Sequence, residues 1–373
     1  MNSEFTPDEI NCFALQSEAA RSFMRTCVPK AAFLPAYEHK DVITHVELSL
    51  DGLILCVVSV DKVITLWRRV DGFGKWTKYQ KFKGHSGAIW RVRFAHPSFG
   101  NLLATCSIDA NIFLFLESPI TKSGRKAFWQ HQTTLKYYTS AILDIRFAPF
   151  FHGLMLAACT AHGHVIVYEA HDPLNINYFN LIYDIKLGTR LSTIDWNPGR
   201  YNEIPILVVG SNSPEVPNDK RLTVLEISTN APTIRENIQF EPILPNEKVQ
   251  CVKFAPQIAA TYTKMAVATK RRILIYGFFF EKSGKTEKGQ AMTRPPRLLG
   301  EICDDISSEV MTLQWNSGGA ALSVMHDDGT IRIYKQTFGS AFVKIVTINP
   351  PSHLLQDKGD TGMPPNHVAR HNS

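Results

Sequence analysis

Apolar and polar positions along the chain repeat a six-residue unit in which apolar residues stand first, fourth and sixth. It occurs as Ile43-Thr-His-Val46-Glu-Leu48, Ile89-Trp-Arg-Val92-Arg-Phe94 and Ile142-Leu-Asp-Ile145-Arg-Phe147. It returns as Leu191-Ser-Thr-Ile194-Asp-Trp196, Val249-Gln-Cys-Val252-Lys-Phe254 and Val310-Met-Thr-Leu313-Gln-Trp315. Successive copies begin 46, 53, 49, 58 and 61 residues apart. Four copies then turn at once through Pro97, Pro149, Pro198 and Pro256. Proline there ends a strand by removing a ladder donor.

Two further apolar runs follow each copy. The second runs are Leu53–Ser59, Leu102–Ser107, Leu154–Thr160, Ile206–Gly210, Met265–Thr269 and Ala320–Met325. The third runs are Val63–Trp67, Ile112–Phe115, Val165–Tyr168, Leu222–Leu225, Ile273–Tyr276 and Ile331–Tyr334. Polar turns such as Asp327-Asp328-Gly329 separate them, with Gly supplying a positive φ. Three short strands per unit read as a β-meander. Runs that are apolar at both alternating positions belong to sheets covered on both faces. Six such sheets around an axis form a β-propeller. The period exceeds the ~40–45 residues of WD repeats. The excess falls in inter-blade loops such as Glu117–Leu135 and Glu281–Glu301. Trp67 is followed by Arg68, so the WD dipeptide is absent there, and only Gly84-His85 keeps the Gly-His signature.

The strand count bears on closure. Each blade takes its outer strand from the start of the next repeat, for example Trp76–Phe82 for blade one and Ala341–Ile348 for blade six. Ala31–Tyr37 also reads as a short strand. With blade six complete, it has no inner three strands to join. Six blades plus a spare strand predict an open ring that exposes one face of blade one, one face of blade six and unpaired edges. A partner could fill the opening by β-augmentation. The other reading is a closed ring of six or seven blades, with Ala31–Tyr37 as coil or packed elsewhere. The expected division is an extension over 1–30, a propeller over 31–349 and a disordered tail over 350–373. Thr6-Pro7-Asp8-Glu9 carries helix-start chemistry. It predicts either an amphipathic helix within that extension or a partly ordered segment.

Composition removes several function classes. The 373 residues are 44% hydrophobic and 20% charged, as in globular proteins, which excludes a disordered or collagenous chain. Lys+Arg 40 against Asp+Glu 34 leaves +6, spread along the chain, so no direct nucleic-acid contact is expected. The seven cysteines are dispersed and lack Cys-x-x-Cys, against a disulfide framework or zinc ribbon. Cys56, Cys106, Cys159 and Cys251 read as reduced core residues. The acidic start and the lack of any long apolar stretch predict neither a signal peptide nor a membrane span.

No motif predicts catalysis or a cofactor. Ser283-Gly284-Lys285-Thr286 has Phe279 where a phosphate-binding loop needs Gly. His162-Gly-His164 supplies two imidazoles where zinc needs three or four ligands. Glu47, Asp144 and Asp195 stand on inner strands, where lining of the central channel accounts for them.

The segments Gly84–Asp109, Phe147–Gly163 and Leu191–Pro198 resemble the second, third and fourth repeats of the small WD-repeat nucleoporins related to the COPII coat propeller. Gly153-Leu-Met-Leu156 and Glu169-Ala170-x-Asp172 favour the pore branch over the coat branch. The resemblance runs from about Tyr37 to Gln336 and is loose in repeats five and six. It implies a six-bladed open propeller completed in trans by a blade from an α-helical scaffold nucleoporin. It also implies a hetero-oligomer with the nucleoporins of the Y-shaped nuclear pore subcomplex, at the nuclear envelope. Lysosomal growth-signalling and kinetochore locations are implied as secondary. Phe33 and Leu34 on the spare strand, Ile54 and Val58 of blade one, and Leu322, Val324, Ile331 and Ile333 of blade six are the candidate partner-binding residues. Which alternate set faces the gap is not decided by strand period. The competing functions are a closed WD-repeat adaptor that reads a peptide on its top face, and a COPII-like coat component.

Overall fold

The computed structural model describes residues 39–349 except 71–75, 119–126, 137–139, 173–174, 200–204, 214–220, 228–231, 235–246, 257–261, 271, 280–295, 303–307 and 338–340. The N-terminal helix start, the spare strand with Phe33 and Leu34, Ser283–Thr286 and the tail lie outside the described residues.

Six four-stranded antiparallel sheets follow one another, each a meander in chain order. Blade one is β1 (Ile43–Leu48), β2 (Ile54–Ser59), β3 (Val63–Arg69) and β4 (Trp76–Lys83). Blade two is β5 (Ile89–Phe94), β6 (Leu102–Ser107), β7 (Asn111–Ser118) and β8 (Phe128–Lys136). Blade three is β9 (Ile142–Phe147), β10 (Met155–Thr160), β11 (His164–Ala170) and β12 (Phe179–Lys186). Blade four is β13 (Leu191–Trp196), β14 (Ile206–Ser211), β15 (Leu222–Ile227) and β16 (Pro232–Ile234). Blade five is β17 (Cys251–Phe254), β18 (Tyr262–Ala268), β19 (Ile273–Phe279) and β20 (Arg297–Ile302). Blade six is β21 (Val310–Trp315), β22 (Ala321–His326), β23 (Ile331–Gln336) and β24 (Phe342–Ile348). The expected outer strands of blades one and six are β4 and β24.

The six-residue unit is the first strand of each blade, and its odd spacing has a local cause. In β1, β5, β13 and β21 the register shifts after the first residue, so one residue is extra. Such a bulge brings the first, fourth and sixth residues onto one face. The bulged Thr44 and Ser192 donate their hydroxyls to Ile89 O (2.5 Å) and Val249 O (2.8 Å) in the next blade.

That face packs against the preceding blade. Ile54, Cys56 and Val58 of blade one meet Ile89, Val92 and Leu103 of blade two. Comparable cores lie between blades two and three, three and four, four and five, and five and six. Each fully buried aliphatic side chain contributes roughly 1.5–3 kcal/mol. The closing tryptophans add a polar staple. Trp196 Nε1 donates to Arg146 O and Trp315 Nε1 to Lys253 O, each at 3.0 Å in the blade before. The four expected core cysteines are buried and free.

Candidate partner interface

The inner strands adjoin in the order β1, β5, β9, β13, β17, β21. No comparable packing joins β21 back to β1 among the described residues. The consequence is written on the first repeat. Val92, Ile145, Ile194 and Val252, at the fourth position of their units, are each 0% exposed. Val46, at the same position of β1, is 47% exposed, beside Ile43 at 39% and Leu48 at 51%. The sequence chemistry is unchanged, and among the described residues only the preceding blade is missing. Farther out on the same face, His39 covers Thr65, its Nε2 2.9 Å from Oγ1, and Val57 and Trp67 are buried.

Blade six presents its opposite face. Directly opposed residues of antiparallel strands share a face. Met325 pairs with Ile331, Ile331 with Ile348, and Ile333 with Ser323 and Val346. Met325 and Ile348 are exposed, while Ile331 and Ile333 are half-buried. Thr312 and Gln314 make the axial end of this face polar.

Strand pleat therefore divides the eight candidate residues. Ile331 and Ile333 stand on the outward face. Leu322 and Val324 point the other way, into the core with blade five. Ile54 and Val58 point into the core with blade two. These four face the neighbouring blades and not the uncovered faces of blades one and six. Ile43, Val46, Leu48 and Met325 stand on those uncovered faces. The signal for the first three was the repeat itself: its pattern residues face the preceding blade, and the first repeat has none among the described residues.

Two His–Asp pairs brace blades one and two. His85 Nδ1 lies 3.0 Å from Asp109 and Nε2 lies 2.9 Å from Thr105 Oγ1. His39 pairs similarly with Asp61 at 3.3 Å. Burial alone would raise the Asp109 carboxyl. Hydrogen bonds from His85 and from the Asn111 and Ser86 amides outweigh it and hold the group well below the usual carboxylate range. A depressed folded pKa contributes stability above the unfolded value, about 3.9, and loses it as pH falls through the folded value. Asp109→Ala should therefore cost about 2 kcal/mol at neutral pH. The penalty should shrink below about pH 4, as measured by urea unfolding across pH.

The three inner-strand carboxylates are spent on arginines. Glu47 accepts from Arg93 Nη1 at 2.7 Å, and Asp144 lies 3.5 Å from both Arg91 Nε and Arg93 Nη2. Asp195 accepts from the Phe254 amide at 2.7 Å and faces Arg146 Nε at 3.3 Å. Burial, reinforced by Arg93, Arg91 and Arg146, pushes the His45 pKa well down. Its Nε2 accordingly accepts from Arg93 Nη1 at 2.8 Å. His164, the second imidazole of the His-Gly-His turn, pairs with Asp184 at 2.7 Å, and Gly163 between them has φ +82. No group of three or more His, Cys, Asp or Glu among the described residues could hold a metal. No helix among them is long and apolar enough to cross a membrane.

Six meander blades with bulged inner strands and His–Asp braces define a WD-repeat β-propeller. Residues 76–115 match the family model for the WD domain, G-beta repeat. That match runs from β4 into β7, so the sequence repeat straddles two blades, taking the outer strand of one and the inner three of the next. Over 309 residues the chain is 30% identical to nucleoporin SEH1 of Bos taurus and of Homo sapiens, covering 81% of this chain and 84% of each relative. Nucleoporin SEH1-A of Xenopus laevis matches to the same extent. The chain belongs to the nucleoporin SEH1 family.

Proposed function

We propose that the chain is a non-catalytic structural component of the nuclear pore, which accepts a β-blade from an α-helical scaffold nucleoporin between blades one and six. One observation carries this reading: Ile43 and Val46 are exposed although the matching residues of the other five repeats are buried, and Leu48 is exposed where its counterparts are buried or half-buried. A guest blade would supply the missing neighbour. It would cover these residues on one side and Met325, Ile331, Ile333 and Ile348 on the other. Such an insertion would bury an obligate-sized area, on the order of 2,000 Å². Residues 31–349 form the propeller in this reading, and Phe33 and Leu34 add an outer strand to the guest blade. Residues 1–30 are an extension and 350–373 a tail. The complex would sit in the Y-shaped subcomplex at the nuclear envelope and support transport of protein and mRNA. The same opening would serve a lysosomal growth-signalling assembly and recruitment to the kinetochore.

Affinity purification of the tagged full chain, with identification and stoichiometry of the co-purifying proteins, tests the reading. An α-helical nucleoporin in equimolar amount is the expected result. Crosslinks should run from its strand-forming segment to both Lys40, beside β1, and Lys344 on β24. Coat subunits in its place would make the chain a vesicle-coat component. A stable, monodisperse lone propeller with no equimolar partner would remove the blade-accepting role.

A further inference from the structure

Methionine is unevenly placed among the described residues. Met155 and Met265 belong to the core and are 6% and 0% exposed. Met311 and Met325 are 57% and 44% exposed. Both exposed residues lie in blade six, on β21 and β22. Met325 opposes Thr312 on one side and Ile331 on the other, which puts it on the uncovered face. Met311 is the extra residue of the β21 bulge, since the register passes from Val310 opposite His326 to Thr312 opposite Met325. The bulged residues of β1 and β13, Thr44 and Ser192, each reach a carbonyl of the following blade. Met311 holds that position in the last blade, where no comparable packing follows among the described residues. Two thioethers therefore stand where a guest blade would pack. The facing wall of blade one offers Ile43, Val46 and Leu48, which have no sulfur.

A flexible, polarizable thioether fills irregular apolar contacts well. The same sulfur is oxidised in place when a peroxide can reach it. We propose that Met311 and Met325 form an oxidation site that closes the opening to the guest blade, a role that rests on blade acceptance as read above. In the step, a sulfur lone pair attacks one oxygen of hydrogen peroxide, the O–O bond breaks and an S–O bond forms. The transferred oxygen gives its proton to the departing hydroxide, which leaves as water. Sulfur loses two electrons and the peroxide gains them. A dithiol reductant reverses the step, releasing the oxygen as water and becoming a disulfide. The sulfoxide is polar, and its oxygen accepts hydrogen bonds. A guest strand packed over Met325, Ile331 and Ile348 would bury that oxygen against apolar surface without a donor. A docked blade would cover both sulfurs, so the site acts on the unloaded chain.

Hydrogen peroxide is the probe, applied to the full chain alone and to the chain co-purified with its equimolar nucleoporin. Mass spectrometry of the digested protein follows sulfoxide at Met155, Met265, Met311 and Met325. In the free chain Met311 and Met325 should oxidise roughly tenfold faster than the core pair, because exposure controls the rate. In the complex they should be protected to the level of the core pair. The oxidised free chain should bind the nucleoporin roughly tenfold more weakly than the untreated chain, as a buried, unpaired polar oxygen requires. The double variant Met311→Leu, Met325→Leu should bind as the parent chain does, because Leu and Met have similar volumes. It should keep that affinity after peroxide, which separates these two sulfurs from any other oxidised group. Three results would each overturn the proposal while blade acceptance stands: unchanged affinity after full oxidation of both residues, an equal loss in the double variant, or oxidation of Met311 and Met325 at the rate of the core pair. An untreated chain that captures no nucleoporin would remove blade acceptance and the oxidation site with it.

Discussion

Val46→Glu should leave the free propeller folded and weaken capture of the proposed guest blade by about a hundredfold. The side chain is 47% exposed, so a carboxylate there stays hydrated in the free chain. When a partner covers β1, the same charge is buried against apolar surface without a counter-ion. An uncompensated buried charge costs at least about 3 kcal/mol, which is roughly a factor of a hundred in affinity. Val92→Glu, one repeat later, should behave in the opposite way. Val92 is 0% exposed within the core between blades one and two. A carboxylate there should prevent folding or leave the protein insoluble. Calorimetric binding for Val46→Glu and circular-dichroism melting for both variants check the pair. If Val46→Glu binds as tightly as the parent chain, the exposed face of β1 is not the docking surface.

Arg93→Ala should lower the unfolding free energy by about 3–5 kcal/mol, the range for breaking a buried ion pair from one side. Arg93 ties the inner strands of three blades: Glu47 on β1, its own β5, and Asp144 with Ile145 O on β9. Its loss takes one of two arginines from the Asp144 carboxylate, whose side chain is only 2% exposed, and leaves Arg91 at 3.5 Å as its one cation. Glu47→Ala should cost less, about 1 kcal/mol, in line with an ordinary hydrogen bond. Glu47 is a quarter exposed, and Arg93 retains Asp144, His45 and two carbonyls without it. Urea unfolding of the two variants checks the order. A larger loss for Glu47→Ala would mean that the network is anchored from blade one and not from the centre.

The pleat explains why four of the eight candidate residues, Ile54, Val58, Leu322 and Val324, face neighbouring blades and not the uncovered faces. Ile54 and Val58 are as apolar as Val46, and β2 is apolar at both alternating sets. In a sheet covered on both faces, hydrophobicity carries no information about direction. Blade six repeats the problem in β22, where Leu322 and Val324 face blade five and Met325 faces outward. Channel lining accounts for Glu47 and Asp195, whereas Asp144 is buried, and the arginine partners of all three are not visible in the sequence. Arg93 lies 46 residues from Glu47 and 51 from Asp144, distances along the chain that only the ring brings together.

By itself the sequence determined the number of blades, the three inner strands of each and the polar turns between them. A bulged strand, a meander and a proline stop are local devices, and their signatures lie within a few residues of one another. The tertiary structure alone decided which face of each blade meets a neighbour and that the face of β1 meets none among the described residues. Those facts depend on what stands across an interface, and the same apolar-x-x-apolar-x-apolar unit is core in five blades and open surface in the first.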